Sequence, residues 1–187
     1  MATSKNNIIT HGLSGKVGDI LVFSQRAGKT IVGKVPEKTH VPLSEKQKQV
    51  NARFQEAVIY ARGAIADENQ KNAYAQNAGD GKSAYNVAIA DFFNAPDIET
   101  IDLSGYTGKP GEKIIIKAFD DFKVKQVTVE IYNHDGTTVE KGDALPDASG
   151  LQWIYTTTAV NEQLAGDKII VKASDIPGNI TESKKEL

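Results

Sequence analysis

Two hydrophobic rhythms divide the chain, and they change over at Asn94-Ala95-Pro96-Asp97. Before that point apolar residues recur at helical spacing; beyond it they alternate with polar ones. The clearest alternation runs from Lys113 to Tyr132, KIIIKAFDDFKVKQVTVEIY. It predicts two successive strands, Lys113–Phe119 and Val124–Tyr132, joined by the polar link Asp120-Asp121-Phe122-Lys123. In the second, Val127, Val129 and Ile131 alternate with Thr128, Glu130 and Tyr132, as in a strand with one buried face.

The same grammar predicts further strands at Ile98–Leu103, Thr137–Glu140, Leu151–Thr157, Lys168–Ser174 and Ile180–Ser183. The turns between them are rich in Gly, Pro and Asp, as in Gly108-Lys109-Pro110-Gly111, Asn133-His134-Asp135-Gly136 and Pro177-Gly178-Asn179. About seven short strands with turn signals every 8–12 residues is the pattern of an immunoglobulin-like β-sandwich. Trp153, with Leu151 and Tyr155 on the same face, is the expected core anchor.

The first half predicts an α+β module. Asp19–Gln25 and Thr30–Val35 form a β-hairpin around Arg26-Ala27-Gly28-Lys29, preceded by a tightly turned segment with Gly12, Gly15 and Gly18. Pro36 and Pro42 bracket an extended connector. Ser44-Glu45-Lys46-Gln47 fits a capping box opening a helix, with Val50, Phe54, Ala57, Val58, Ala61 and Ile65 on one stripe. Asp67 caps a second helix and Ser83 a third, SAYNVAIADFF. Small alanines permit close packing, while Phe54, Tyr74, Tyr85, Phe92 and Phe93 supply bulk. The reading is a compact hairpin-plus-three-helix module over residues 1–95, followed by the sandwich over 96–187.

Composition changes this picture little. At 40% hydrophobic and 25% charged residues the chain has ordinary globular material, and no run approaches the ~20 apolar residues of a membrane span. The N-terminus lacks the apolar core of a secretory signal, so the expected setting is cytoplasmic synthesis, with retention there or release inside a particle. Charge is more telling. Residues 1–62 carry ten Lys/Arg against four acids, +6, leaving twelve against twenty, −8, for the remainder. Such a split favours protein partners or head-to-tail self-association.

Catalytic chemistry finds no foothold. With no cysteine, thiolate catalysis and Cys-ligated zinc are excluded. His11, His40 and His134 are isolated, without metal-spaced partners. The G-K-T at Gly28-Lys29-Thr30 lacks the glycine a phosphate loop needs five positions earlier, where Phe23 stands. Lys16 occupies the second glycine position of a G-x-S-x-G elbow. The chain therefore reads as a non-enzyme without an organic cofactor. Arg26, Lys29 and Lys34 make the hairpin a candidate interaction surface. The absence of interleaved exposed aromatics argues against nucleic acid as its partner.

The loop carboxylates carry the one metal hypothesis. In an immunoglobulin-like sandwich the N-terminus and two of the loops meet at one end, and here those places hold Asp97, Glu99, Asp120, Asp121 and Asp175. Ca²⁺ takes six to eight oxygen ligands, so this set is expected to hold a structural Ca²⁺ at the junction of the modules.

The segment KIIIKAFDDFKVKQVTVEIY, the strand start at Gly150–Tyr155 and the ending Ala173-Ser174-Asp175-Ile176-Pro177-Gly178-Asn179 resemble the bacterial immunoglobulin-like domains of surface adhesins and phage structural proteins. The N-terminal SGKVGDILVFSQRAGKTIV resembles the openings of uncharacterised bacterial and phage-associated proteins. The resemblance implies a structural or adhesive role in a larger particle or surface assembly. The alternative is a free-standing module for carbohydrate or protein, with Tyr106, Tyr132 and Trp153 as the aromatic platform.

Overall fold

Each helix begins where a side chain can satisfy its first amides. The computed structural model describes residues 2–4, 8–26, 28–36 and 42–187; Lys5, Ala27, Glu37, Lys38, His40 and the middle of the Pro36–Pro42 connector lie outside them. Helix α1 (Glu45–Ala66) opens with the expected capping box: the Gln47 amide donates to Ser44 Oγ at 3.3 Å, and the Ser44 amide to Gln47 Oε1 at 2.9 Å. Asp67 Oδ1 accepts the Gln70 amide ahead of α2 (Glu68–Gln76), and Ser83 Oγ the Asn86 amide ahead of α3 (Ala84–Phe93). Ala57, Ala61, Ala64 and Ala88 are buried, so the helices approach closely. Among the described residues no helix is long and apolar enough to cross a membrane.

The hairpin is present, as β3 (Leu21–Arg26) and β4 (Lys29–Lys34), with Arg26 opposite Lys29. It is the centre of a four-stranded antiparallel sheet completed by β1 (Ala2–Ser4) beside β4 and β2 (Gly15–Val17) beside β3. Among the described residues, the helical core of Ala61, Ala64, Tyr74 and Ala88 takes in no hairpin residue, and its one contributor from outside the helices is Phe122. Phe23 is half-buried.

The second half is a single seven-stranded antiparallel sheet: β5 (Asp97–Asp102), β6 (Lys113–Phe119), β7 (Val124–Tyr132), β8 (Thr138–Pro146), β9 (Trp153–Thr156), β10 (Lys168–Asp175) and β11 (Ile180–Glu186). The order is β11-β10-β7-β8-β9-β6-β5. The sheet bends until it is nearly barrel-shaped, with edge strands β5 and β11 approaching one another; Lys185 Nζ donates to the Ile101 carbonyl at 2.9 Å across that gap. The buried alternation is as expected: Val127, Val129 and Ile131 on β7 face Ile169, Val171 and Ala173 on β10, all fully buried. Burying each such Val or Ile contributes about 1.5–3 kcal/mol.

Two strands depart from expectation. β8 runs well beyond Glu140 because Lys141-Gly142-Asp143, which has the composition of a turn, is held in the sheet by tertiary packing. The Tyr155 ring lies against Gly142, where a Cβ would stand 2.9 Å from the ring. β8 then leaves β7 and pairs through Leu145 and Pro146 with β9. Leu151 is not in β9; it sits in a turn organised by Asp147 and is exposed, so it does not share a buried face with Trp153, which is itself only half-buried. Tyr155 is the core anchor of that strand.

Glu130 is buried on the outer face of β7, where Lys141 Nζ at 2.6 Å, Lys172 Nζ at 3.0 Å and the Tyr132 hydroxyl at 2.9 Å all donate to it. The lysine bond outweighs burial and lowers its carboxyl to about 2. A lowered carboxyl contributes stability that is complete above its unfolded value, near pH 4.3, and is lost as pH falls towards 2. Glu130→Gln is therefore expected to be less stable than wild type by on the order of 2–3 kcal/mol at neutral pH. Urea midpoints measured from pH 7 to pH 2 should show that deficit vanish at the acid end. A deficit independent of pH would mean that packing, not charge, is what Glu130 provides.

Candidate functional site

The helices meet the seven-stranded sheet at a cluster of carboxylates. α3 carries Asp91 near its C-terminal end, the β6–β7 link carries Asp120, and β10 ends on Asp175, after a register shift that sets it opposite Val124. One carboxylate oxygen from each lies within 4.8 Å of the other two. Asp91 and Asp175 are buried, and Asp120 is half-buried.

Each acid is held from one side. The Tyr74 hydroxyl donates to Asp91 Oδ2 at 2.5 Å, and the Tyr60 hydroxyl stands 2.7 Å from that of Tyr74. Asp120 Oδ2 accepts the backbone amides of Phe122 and Lys123. Asp175 Oδ1 accepts the amides of Gly178 and Asn179, and its Oδ2 accepts Asn179 Nδ2 at 2.7 Å. Asp91 Oδ1 and Asp120 Oδ1 are buried with no hydrogen-bond partner. Burial pushes the Asp91 carboxyl up to about 7; Tyr74 opposes this, and the charges of Asp120 and Asp175 add to it. Asp120 is raised too, again first by burial.

Polar and aromatic ties surround the cluster. Asn179 Nδ2 also reaches the carbonyls of Phe92 and Asn94 at 3.2 and 3.1 Å, joining the β10–β11 turn to the end of α3. Asn94 Nδ2 donates to Asp121 Oδ2 at 2.6 Å. Phe122 stacks on Tyr74 with centroids 4.1 Å apart.

The expected metal set is thus brought together only in part. Asp120 and Asp175 converge; Asp121 turns to Asn94 instead. Asp97 and Glu99 are exposed on β5, outside the cluster, although Asp97 pairs with Phe119 beside Asp120. Asp91 was not anticipated. Its signal was available, since it is the one charged residue in AYNVAIADFF, placed where the helical stripe should be apolar.

The proposed interaction residues also separate. Arg26, Lys29 and Lys34 are exposed on the hairpin. Tyr106 is buried, with its hydroxyl accepting Asn161 Nδ2 at 3.0 Å, so it offers no surface platform. Tyr132 is half-buried and committed to Glu130. Trp153 borders a cleft of about 1080 Å³ where β8 crosses between neighbours, beside Phe119, Phe122, Leu145 and Leu151. Phe119, Leu145 and Leu151 are 53%, 71% and 73% exposed. No family model matches this chain, and no curated protein or solved structure matches it.

Proposed function

We propose that this chain is a non-enzymatic structural and interaction protein, a component of a larger particle or surface assembly, in which the helical part docks and the seven-stranded part projects or bridges neighbours. The observation that carries the reading is α1. Its buried residues, Ala57, Ala61 and Ala64, all lie in its second half. The first half leaves Val50 and Phe54 60% and 49% exposed, with Leu43 exposed just ahead of it. Phe54 is only partly covered, by the Phe93 ring stacked on it, and an exposed apolar stripe is the form in which a helix offers itself to a partner. The basic first third and acidic remainder of the sequence supply complementary charge for a second copy.

The projecting part reads as an immunoglobulin-like sandwich. Its strand order divides into β5-β6-β9 and β8-β7-β10-β11, the same partition as strands A-B-E against C′-C-F-G in that fold. A second reading, a free-standing module for protein or carbohydrate, is favoured by the apolar cleft at Phe119, Leu145 and Leu151.

Light scattering across ionic strengths separates the two. Under the first reading the chain is heavier than its 20.2 kDa monomer at low salt, and Val50→Asp with Phe54→Asp returns it to that mass. A wild-type monomer at every salt concentration removes self-assembly and leaves the cleft as the surface to screen.

A further inference from the structure

We infer that Asp91, Asp120 and Asp175 bind one divalent cation of calcium size, which ties the end of α3 to the end of the seven-stranded sheet. The fit is geometric first. Ca²⁺–oxygen distances are about 2.4 Å, so oxygens on opposite sides of the ion stand about 4.8 Å apart. The three carboxylate oxygens lie within 4.8 Å of one another, close enough to share one Ca²⁺. Mg²⁺ demands a near-ideal octahedron and dehydrates reluctantly, whereas Ca²⁺ accepts the irregular set that three acids from a helix, a link and a strand end provide.

The second observation is the donor pattern. Asp91 is 1% exposed, yet its Oδ1 has no hydrogen-bond partner, and Asp120 Oδ1 is buried without one as well. A buried carboxylate oxygen left bare is costly, and native structures rarely tolerate it. The opposite oxygens of the same two acids are held by Tyr74 and by the Phe122 and Lys123 amides, which orient the bare ones. Nor does a basic side chain neutralise the set: the ion pairs formed among the described residues lie elsewhere, the most buried being those of Glu130. The three carboxylates provide one ligand atom each, and water completes the shell on the half-buried side, at Asp120.

The test uses the full chain, stripped with a chelator, and Ca²⁺ or Tb³⁺ alone as probe. Calorimetry is expected to give one Ca²⁺ per chain with Kd of about 10⁻⁶–10⁻⁴ M, and Mg²⁺ to bind more weakly. At Ca²⁺ one hundred times Kd the melting temperature should rise by about 5 °C. Bound Tb³⁺ should light up on tyrosine excitation, since Tyr74 donates directly to Asp91. Asp120→Asn keeps an oxygen to cap the Phe122 and Lys123 amides, so it should fold and melt normally in chelator while binding Ca²⁺ at least about tenfold more weakly. Asp97→Asn and Glu99→Gln should leave binding unchanged. Wild-type protein with neither Ca²⁺ heat nor a Ca²⁺-dependent melting shift overturns the site. So does undiminished binding in Asp120→Asn.

Discussion

Gly108→Ala is expected to destabilise the seven-stranded unit by about 3–5 kcal/mol and lower its melting temperature by about 10 °C or more. Two effects combine. Gly108 has φ +90°, where a side chain is strained, and a Cβ there would stand 2.1 Å from the backbone carbonyl oxygen of Asn161. That oxygen cannot swing aside as a side chain could. The Asn161 amide already donates to the Gly108 carbonyl at 2.8 Å. Asn161 Nδ2 in turn serves the Tyr106 hydroxyl and Asp167 Oδ2, both buried, so displacing Asn161 leaves buried polar groups unpaired. Trp153, the only tryptophan, reports on this unit by fluorescence during thermal or urea unfolding. A variant melting within about 2 °C of wild type would falsify the close approach of the two loops.

Tyr74→Ala is expected to cost about 3–5 kcal/mol, felt first in the helices. Tyr74 is fully buried, it is the largest side chain of the helical core, and its ring is stacked on Phe122. Removing it opens a cavity and leaves both oxygens of Asp91 without a donor. Tyr74→Phe separates the two contributions: the ring and its stacking stay, the hydroxyl between Tyr60 and Asp91 goes, and about 1–3 kcal/mol should be lost. Urea unfolding followed by far-ultraviolet circular dichroism measures both variants. In Tyr74→Ala the helical transition should move to lower urea by more than the Trp153 transition. A loss below about 1 kcal/mol would place the weight of this junction on Asn179 instead.

Much of the architecture could be read from residue patterns. β6 and β7 begin and end where the alternation of KIIIKAFDDFKVKQVTVEIY places them, and Ser44, Asp67 and Ser83 cap the three helices. These features depend on neighbours a few residues apart. β8 was misjudged because a glycine between charged residues signals a turn locally, whereas Gly142 is in the sheet to admit the Tyr155 ring. Tyr106 was a candidate for an exposed aromatic platform, whereas Asn161, far along the chain, gives its hydroxyl a buried partner. In the same way the helical core recruits Phe122 from the distant β6–β7 link.

The candidate site divides along the same line. Two of its three acids, Asp120 and Asp175, were predictable because strand alternation places both where strands end and turns begin. Asp91 was not, because a helix interior acid is satisfied or orphaned only by what the fold sets against it. Periodicity, capping and turn chemistry are short-range, so the sequence by itself determined the elements and the change of rhythm at Pro96. The sheet order, the burial of Tyr106, and the meeting of Asp91 with Asp120 and Asp175 arise from desolvation and packing between distant segments. Those only the tertiary structure could decide.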